Sequence, residues 1–369
     1  MSARTVTITG ADGFVGRNLA VRLAEEGWDV CPITRTSTDA DWDRAVAASQ
    51  AVVHLAGANR PSDPADFQRV NAGTAERLAA AVAATGRAIP VLYASSTKAV
   101  DDSDYGRSKK AGEDRLFALG ADTGSPVFVF RLPNVFGKWA RPDYNSAVAT
   151  FCHNVARDLP IRVDDPAAPL TLVYIDDVIG SFLRCLNGEV EPGFVAVEPE
   201  HRMTVGHVAD TIRGFRADRA ENRIDQVGRG LTRALYATYV AALPPSEFSY
   251  EIASHRDPRG AFSEMIKTQA SGQISYFTAH PGVTRGGHYH HTKTEKFLIV
   301  HGKALFRFRN IMSGDTHEIR TDGSQPRIVE TVPGWAHDVT NVGTGDMISL
   351  LWANEVFDRE RPDTVAASV

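Results

Sequence analysis

The chain has 369 residues but few cysteines: Cys31, Cys152 and Cys185 are odd in number and far apart. This excludes a disulfide framework and fits reduced thiols in a cytosol. No Lys/Arg run stands out, and with a formal charge of −5 and a pI near 6.2 the electrostatic footprint of a nucleic-acid binder is missing. An anionic substrate stays open, because a local pocket outweighs global charge. No apolar run approaches bilayer length, and the first expected strand begins at Thr5, leaving no room for a secretory leader. These absences predict a cytoplasmic protein with neither membrane nor nucleic-acid partners. What is present, 43% hydrophobic and 23% charged residues, is ordinary for a globular chain, and the length suits about two domains.

Residues 5–9, TVTIT, read as a buried strand running into Gly10, Gly13 and Gly16 and then an amphipathic helix, RNLAVRLAEEG, ending at Gly27. Glycines let the backbone approach a pyrophosphate, and the helix N-terminus offers unpaired N–H groups and the positive end of its dipole. The spacing alone is common; the strand before it and the helix after it give it weight. After the next strand, WDVCPIT, a free ribose 2′-hydroxyl would want Asp or Glu, whereas the sequence supplies Arg35, Thr36 and Ser37, which suit a 2′-phosphate. The reading is therefore NADPH, with Asp39 and Asp41 keeping NADH open.

A strand ending in hydroxyls, VLYASST at 91–97, is followed by Tyr105-Gly-Arg-Ser-Lys109. Residues at i and i+4 share a helix face. A lysine ammonium beside the phenol, with the positive charge of an oxidised nicotinamide, favours the tyrosinate, so Tyr105 can pass a proton to a substrate oxygen that Thr97, helped by Ser96, would hold. With AVVHLAG at 51–57, RLPNVFG at 131–137 and VYIDDV at 173–178, these segments resemble the extended short-chain dehydrogenase/reductases. The resemblance implies an α/β fold, a Rossmann-type doubly wound parallel sheet. Its catalytic residues would be Thr97, Tyr105 and Lys109. Its cofactor pocket would be lined by Gly10, Gly13, Phe14, Gly16, Arg35, Leu55, Ala56, Gly57, Tyr105, Lys109 and Asn134, with a small substrate subdomain over about residues 135–245.

Farther on, GVTRGGHYHHTKTEKFLIVHG packs His288, His290, His291 and Glu295 closely, and His337 follows inside PGWAHDVTN. Histidines one residue apart on a strand share a face, and nitrogen and oxygen donors suit zinc or another divalent transition metal. Gly282, His288, His290, Glu295 and Gly302 match the first cupin motif in spacing. Pro333, Gly334, His337 and Asn341 resemble the second, except that its proline and glycine are adjacent here where one residue usually intervenes, so the turn before His337 is expected to differ. The implied ligands are His288, His290, Glu295 and His337. Short apolar runs after Pro244-Pro245 suit an all-β jelly roll. The expected domains are a reductase over 1–245 and a cupin over 246–369.

DPRGAFSEMIK at 257–267 followed by GVTRGGHYHH resembles the RmlC-like sugar 3,5-epimerases, in which the histidine of an Arg-Gly-x-His run removes a proton beside a ketone. That position is His288, with Arg285 before it. A ligating histidine cannot also take a proton on its metal-bound nitrogen, and the ligand reading is preferred because His290 and Glu295 complete a metal set. The proton then belongs to another group, and Tyr276, His280, Tyr289, His291, Lys296 and His317 remain alternatives.

The segment GKWARPDYNSAVATFCHNVARDLPIRV, the short Thr97 to Tyr105 spacing and the fusion to HYHHTKTEKF resemble the bifunctional epimerase-reductases of capsular polysaccharide synthesis, the CapF type, over nearly the whole chain. This implies two reactions at one ketone. The cupin would epimerise C3 of a UDP-linked 4-keto-6-deoxy-2-acetamido sugar, and the reductase would then reduce C4 with NADPH to a 6-deoxy-talose-type product, in a homodimer. Two other readings stay open: a lone reductase whose cupin serves dimerisation or sugar sensing, and an iron-dependent oxygenase cupin.

Overall fold

The computed structural model describes residues 4–224, 226–252, 255–257, 260–262, 265–268, 272–355, 358 and 360–369. Of the 257–267 segment, Pro258, Arg259, Ser263 and Glu264 lie outside the described residues. The chain divides into two compact units, residues 1–136 with 170–202, and residues 137–169 with 203–369.

In the first unit the strand Arg4–Thr9 is buried on both faces over its last four residues, with Val6, Thr7, Ile8 and Thr9 all inaccessible. That is the signature of a parallel sheet covered by helices on both sides. Six strands line up in the order Trp28–Ile33, Arg4–Thr9, Ala51–His54, Val91–Ser96, Val127–Leu132 and Gly193–Phe194. Every pairing between them is parallel. Helices Phe14–Glu25, Asp39–Ala48, Gly73–Ala84 and Asp104–Thr123 make the crossovers that parallel strands require. Chain order reverses between Arg4–Thr9 and Ala51–His54. In an open α/β sheet, ligands bind beyond the carboxyl ends of the strands at such a switch point. The expected doubly wound sheet is the one formed.

The second unit joins helices to antiparallel sheets. Helices Val205–Ala220 and Gly230–Ala241 pack through Phe215 against Tyr236, ring centroids 5.1 Å apart. One five-stranded sheet runs Ser249–Glu251, Arg327–Glu330, Glu295–His301, Met347–Ala353, Gln273–Ala279; the other runs Thr316–Asp322, Lys303–Asn310, Trp335–Asn341, Thr284–Tyr289, Val365–Ala366. Phe297 of the first meets Phe306 of the second at 5.5 Å, so the core lies between the sheets. The all-β architecture expected of the C-terminal part is present. Residue 245, the expected boundary, lies within this unit, where the helix Val205–Ala220 lies on the first sheet: Arg219 pairs with Glu330 at 2.9 Å and covers the Tyr250 ring at 4.3 Å. Among the described residues no helix is long and apolar enough to cross a membrane.

Candidate functional sites

The first site lies at the switch point. Gly10 ends the first strand with φ +68°, and a Cβ there would come within 2.8 Å of the Ala56 backbone nitrogen, so only glycine lets the turn close on residues 55–56. Gly13 caps the following helix without a side-chain acceptor, leaving the first-turn N–H groups to an anion; Phe14 opens that helix half-buried, and Gly16 packs under the turn. Leu55 and Ala56 both donate their N–H to Thr9 Oγ1 at 3.1 Å, and that hydroxyl meets His54 Nδ1 at 2.6 Å. His54 is wholly buried, which, with the Lys109 charge nearby, pushes its pKa down to about 3.

The expected Tyr105–Lys109 pair reaches the same place from the helix Asp104–Thr123. A Cβ on Gly57 would lie 2.9 Å from Asn71 Oδ1 and 3.2 Å from Lys109 Nζ, so the strand-end backbone, Asn71 and Lys109 are immediate neighbours. Lys109 is 5% exposed and donates to the Ala94 carbonyl at 3.0 Å. Burial pushes its ammonium down to about 8, against the opposite pull of Glu113. Glu113 itself is inaccessible, gripped by Arg131 through both oxygens at 2.9 and 2.6 Å and by the Ser95 hydroxyl at 2.6 Å. Tyr105 donates to Asn59 Oδ1 at 3.3 Å.

Burial raises the Tyr105 phenol above its ordinary value, outweighing a hydrogen bond with Ser96 that lowers it. The sequence expects Lys109 together with an oxidised nicotinamide to favour the tyrosinate; in the protein alone burial is the larger influence. Ser96 is thus the hydroxyl in contact with Tyr105, while Thr97 is exposed at the head of the short turn Thr97–Val100. Gly106 makes the short Thr97 to Tyr105 spacing workable, since a Cβ there would strike the Lys98 and Asp101 carbonyls at 2.3 and 2.4 Å.

Arg35 is exposed two residues beyond Ile33, whose carbonyl accepts the Gly10 N–H at 2.8 Å. The competing acids are engaged: Asp39 accepts from Arg77 at 2.9 Å, and Asp41 accepts the Thr38 N–H at 2.9 Å in a capping box. Asn134 lies on the strand Asn134–Phe136 and donates to the Thr171 carbonyl at 3.2 Å, rather than to the residues around Gly57.

The second site lies in the β-rich unit. His288, His290, Glu295 and His337 each offer one ligand atom, all within 4.8 Å of one another, with His290, Glu295 and His337 buried. The strand Thr284–Tyr289 carries a bulge at Gly286 and Gly287, after which His288 stands opposite His337. His290 Nδ1 meets the Asp363 carbonyl, and His337 Nδ1 meets the Trp335 carbonyl at 3.2 Å. A carbonyl can only accept, so both Nδ1 atoms carry the proton and each neutral ring presents the Nε2 lone pair. Those Nε2 atoms face Glu295 Oε2 at 3.2 Å and 3.6 Å, and the one on His337 is buried without a hydrogen bond.

Acceptors gathered on a carboxylate demand a cation. Burial pushes His337 down and, with the neighbouring histidines, takes His288 to about 4, so both are neutral ligands at ordinary pH. Burial would raise Glu295, but the positive charge beside it, the Lys293 ammonium at 2.9 Å included, holds it well below the usual carboxylate range. The residues therefore fit a divalent metal.

The alternatives for a proton-moving group have partners of their own. Lys296 points to the other face of its strand, bonded to Glu330 and to Tyr250 at 3.1 Å. Tyr276 is 71% exposed on the face opposite Phe277, whose ring meets Phe297 at 6.1 Å. His280 bonds Asp346 at 2.8 Å, Tyr289 packs on His291 at 5.4 Å, and His317 lies by Phe248 at 6.1 Å. Sequence reasoning missed Asn71, Glu113, Arg131 and Asp363. Only Glu113 had a local signal, standing four residues beyond Lys109 on one helix face.

A parallel sheet with a glycine turn and a Tyr–Lys pair at its switch point defines an enzyme class that uses a nicotinamide, here followed by a double β-sheet with a buried group of metal-type side chains. The chain belongs to the NAD dependent epimerase/dehydratase family, matched over residues 6–194, and carries a polysaccharide biosynthesis C-terminal domain over residues 255–365, together the CapF type of architecture. Over 366 residues it is 55% identical to a UDP-2-acetamido-2,6-beta-L-arabino-hexul-4-ose reductase of Pseudomonas aeruginosa, covering 99% of this chain and 98% of that one. It is 30% identical over 250 residues to a dTDP-4-dehydrorhamnose reductase of Mycolicibacterium smegmatis, covering 61% of this chain and 70% of that one. The crystal structure of the capsular polysaccharide assembling protein CapF from Staphylococcus aureus is similar at a TM-score of 0.68 and 35% identity, covering 99% of this chain and all of that one.

Proposed function

We propose that the chain is a bifunctional nucleotide-sugar enzyme: its β-rich unit, read as a cupin, epimerises a UDP-linked 4-keto-6-deoxy-2-acetamido sugar at C3, and its parallel-sheet unit reduces the C4 ketone with NADPH to a 6-deoxy-talose-type sugar. One observation carries this reading. The chain holds two separate constellations, Gly57, Ser96, Tyr105 and Lys109 in one unit and four metal-type ligands in the other, and both chemistries act on the same ketone. The full-length relative whose name specifies a hexul-4-ose reductase supports the reductase half.

In that half NADPH supplies the hydride. Tyr105 passes its phenolic proton to the C4 oxygen, Ser96 and Thr97 hydrogen-bond that oxygen, and Lys109 keeps a positive charge beside the phenol. With Asp39 held by Arg77 and Asp41 by the helix cap, the exposed Arg35 supports the choice of a 2′-phosphate. In the other half, a divalent ion held by His288, His290, Glu295 and His337, zinc being the expected one, would supply Lewis-acid polarisation of the ketone. Those residues then have one task, to stay neutral or anionic and fixed. The strand Gln273–Ala279, at a sheet edge with Ile274 and Tyr276 59% and 71% exposed, supports a homodimer.

The test is to incubate the protein with UDP-4-keto-6-deoxy-2-acetamido sugars, with and without NADPH, and to assign the products by NMR. The reading expects C3 inversion without NADPH and a reduced, C3-inverted sugar with it. Reduction with retained C3 configuration would leave a reductase alone.

A further inference from the structure

We infer that Asp363, in the C-terminal tail, is a positioning residue that sets two ligands of the metal site at once; this rests on the metal reading above. Its backbone carbonyl takes the Nδ1 proton of His290, which fixes the tautomer that turns Nε2 toward Glu295. Its carboxylate accepts the backbone N–H of His291 at 2.8 Å, of Thr292 at 2.7 Å and of Lys293 at 2.8 Å, and the Thr292 hydroxyl at 2.9 Å. The loop so held presents Lys293, whose ammonium takes Glu295 Oε1 at 2.9 Å and leaves Oε2 for the histidines. One residue therefore reaches His290 through its carbonyl and Glu295 through its side chain.

The tail is anchored on both sides of this contact. Val365–Ala366 pairs with Tyr289 and His288, the Ala367 N–H donates to the Gly287 carbonyl at 2.9 Å, and Arg309 Nε donates to the Ser368 carbonyl at 3.0 Å. The half-buried Asp363 carboxylate thus satisfies three consecutive backbone N–H groups of one loop. The loop joins His290 to Glu295.

The experiment uses full-length protein, Asp363→Ala and Asp363→Asn, and reads zinc affinity by chelator competition together with the visible spectrum of the cobalt(II) form. Wild type is expected to bind one ion per chain. Asp363→Ala should lose about 10- to 100-fold in affinity, the usual cost of removing a residue that orients a ligand, and shift the cobalt bands, with Asp363→Asn in between. NADPH oxidation with an already epimerised 4-keto sugar serves as the folding control and should be unchanged. If Asp363→Ala does not fold, the cobalt spectrum and affinity of Asp363→Asn decide. Wild-type affinity and spectrum in the folded variants would overturn the role of Asp363 and leave the metal site standing, whereas a wild type that binds no metal would remove both.

Discussion

Lys109 sits where chemistry and stability oppose each other. Burial brings its ammonium from 10.5 to about 8, a difference worth about 3 kcal/mol. The sign follows from proton counts: below about 8 both states are charged and folding bears the whole penalty, whereas between about 8 and 10.5 only the unfolded chain keeps its proton, so stability rises with pH and the penalty is gone above 10.5. Lys109→Met should therefore gain up to about 3 kcal/mol at pH 7, less the lost hydrogen bond to Ala94, with the gain shrinking toward pH 10, while reduction is lost. Urea unfolding at the two pH values measures it; a variant no more stable at pH 7 would contradict the burial argument.

Arg35→Ala tests the cofactor choice and should weaken NADPH much more than NADH in binding titrations, whereas equal losses would assign the phosphate to another residue. Tyr105, Lys109 and the four metal-type ligands were legible because their chemistry demands particular residue types at short spacing. Asp363 was not, because it acts through backbone groups distant in sequence. Nor was the burial of Ser96 beside an exposed Thr97, which depends on where the strand ends and the turn begins.

Between elements, what matters is how closely they approach. The helix that bears Tyr105 and Lys109 seats its first turn on residues 98–101 only because Gly106 has no side chain. Gly106→Ala should push that helix away, cost about 1–3 kcal/mol as an overpacked contact and lower the reduction rate, with Ser103, which caps the helix, left in place. Thermal unfolding and NADPH oxidation check the two effects, and a fully active, equally stable variant would contradict the close approach. The strand, glycine turn and helix at the start were readable from periodicity and punctuation. The shortened Pro333-Gly334 turn was flagged as a departure, but its reason was hidden: Gly334 has φ +80°, and a Cβ there would meet the Trp139 ring at 2.7 Å. A contact between residues nearly two hundred positions apart leaves no trace in local sequence.

At the scale of the molecule, the order of a parallel-sheet unit and an antiparallel β unit was legible from motifs alone, whereas the seat of the helix Val205–Ala220 was not. Helical periodicity shows that Val205–Ala220 has a buried face, not which sheet covers it; the buried Arg219, Glu330 and Lys296 group settles that locally. The central claim is that the two constellations work independently on one ketone. Tyr105→Phe should lose about 10²- to 10⁴-fold in NADPH oxidation and keep solvent exchange beside the ketone. His290→Ala should lose metal and exchange, yet still reduce an already epimerised sugar. The most direct measurement is deuterium incorporation at C3 of the 4-keto sugar in D2O without NADPH, followed by NMR for wild type and these two variants. The account predicts incorporation in wild type and Tyr105→Phe and its loss in His290→Ala. No incorporation in wild type, or full incorporation in His290→Ala, would contradict it.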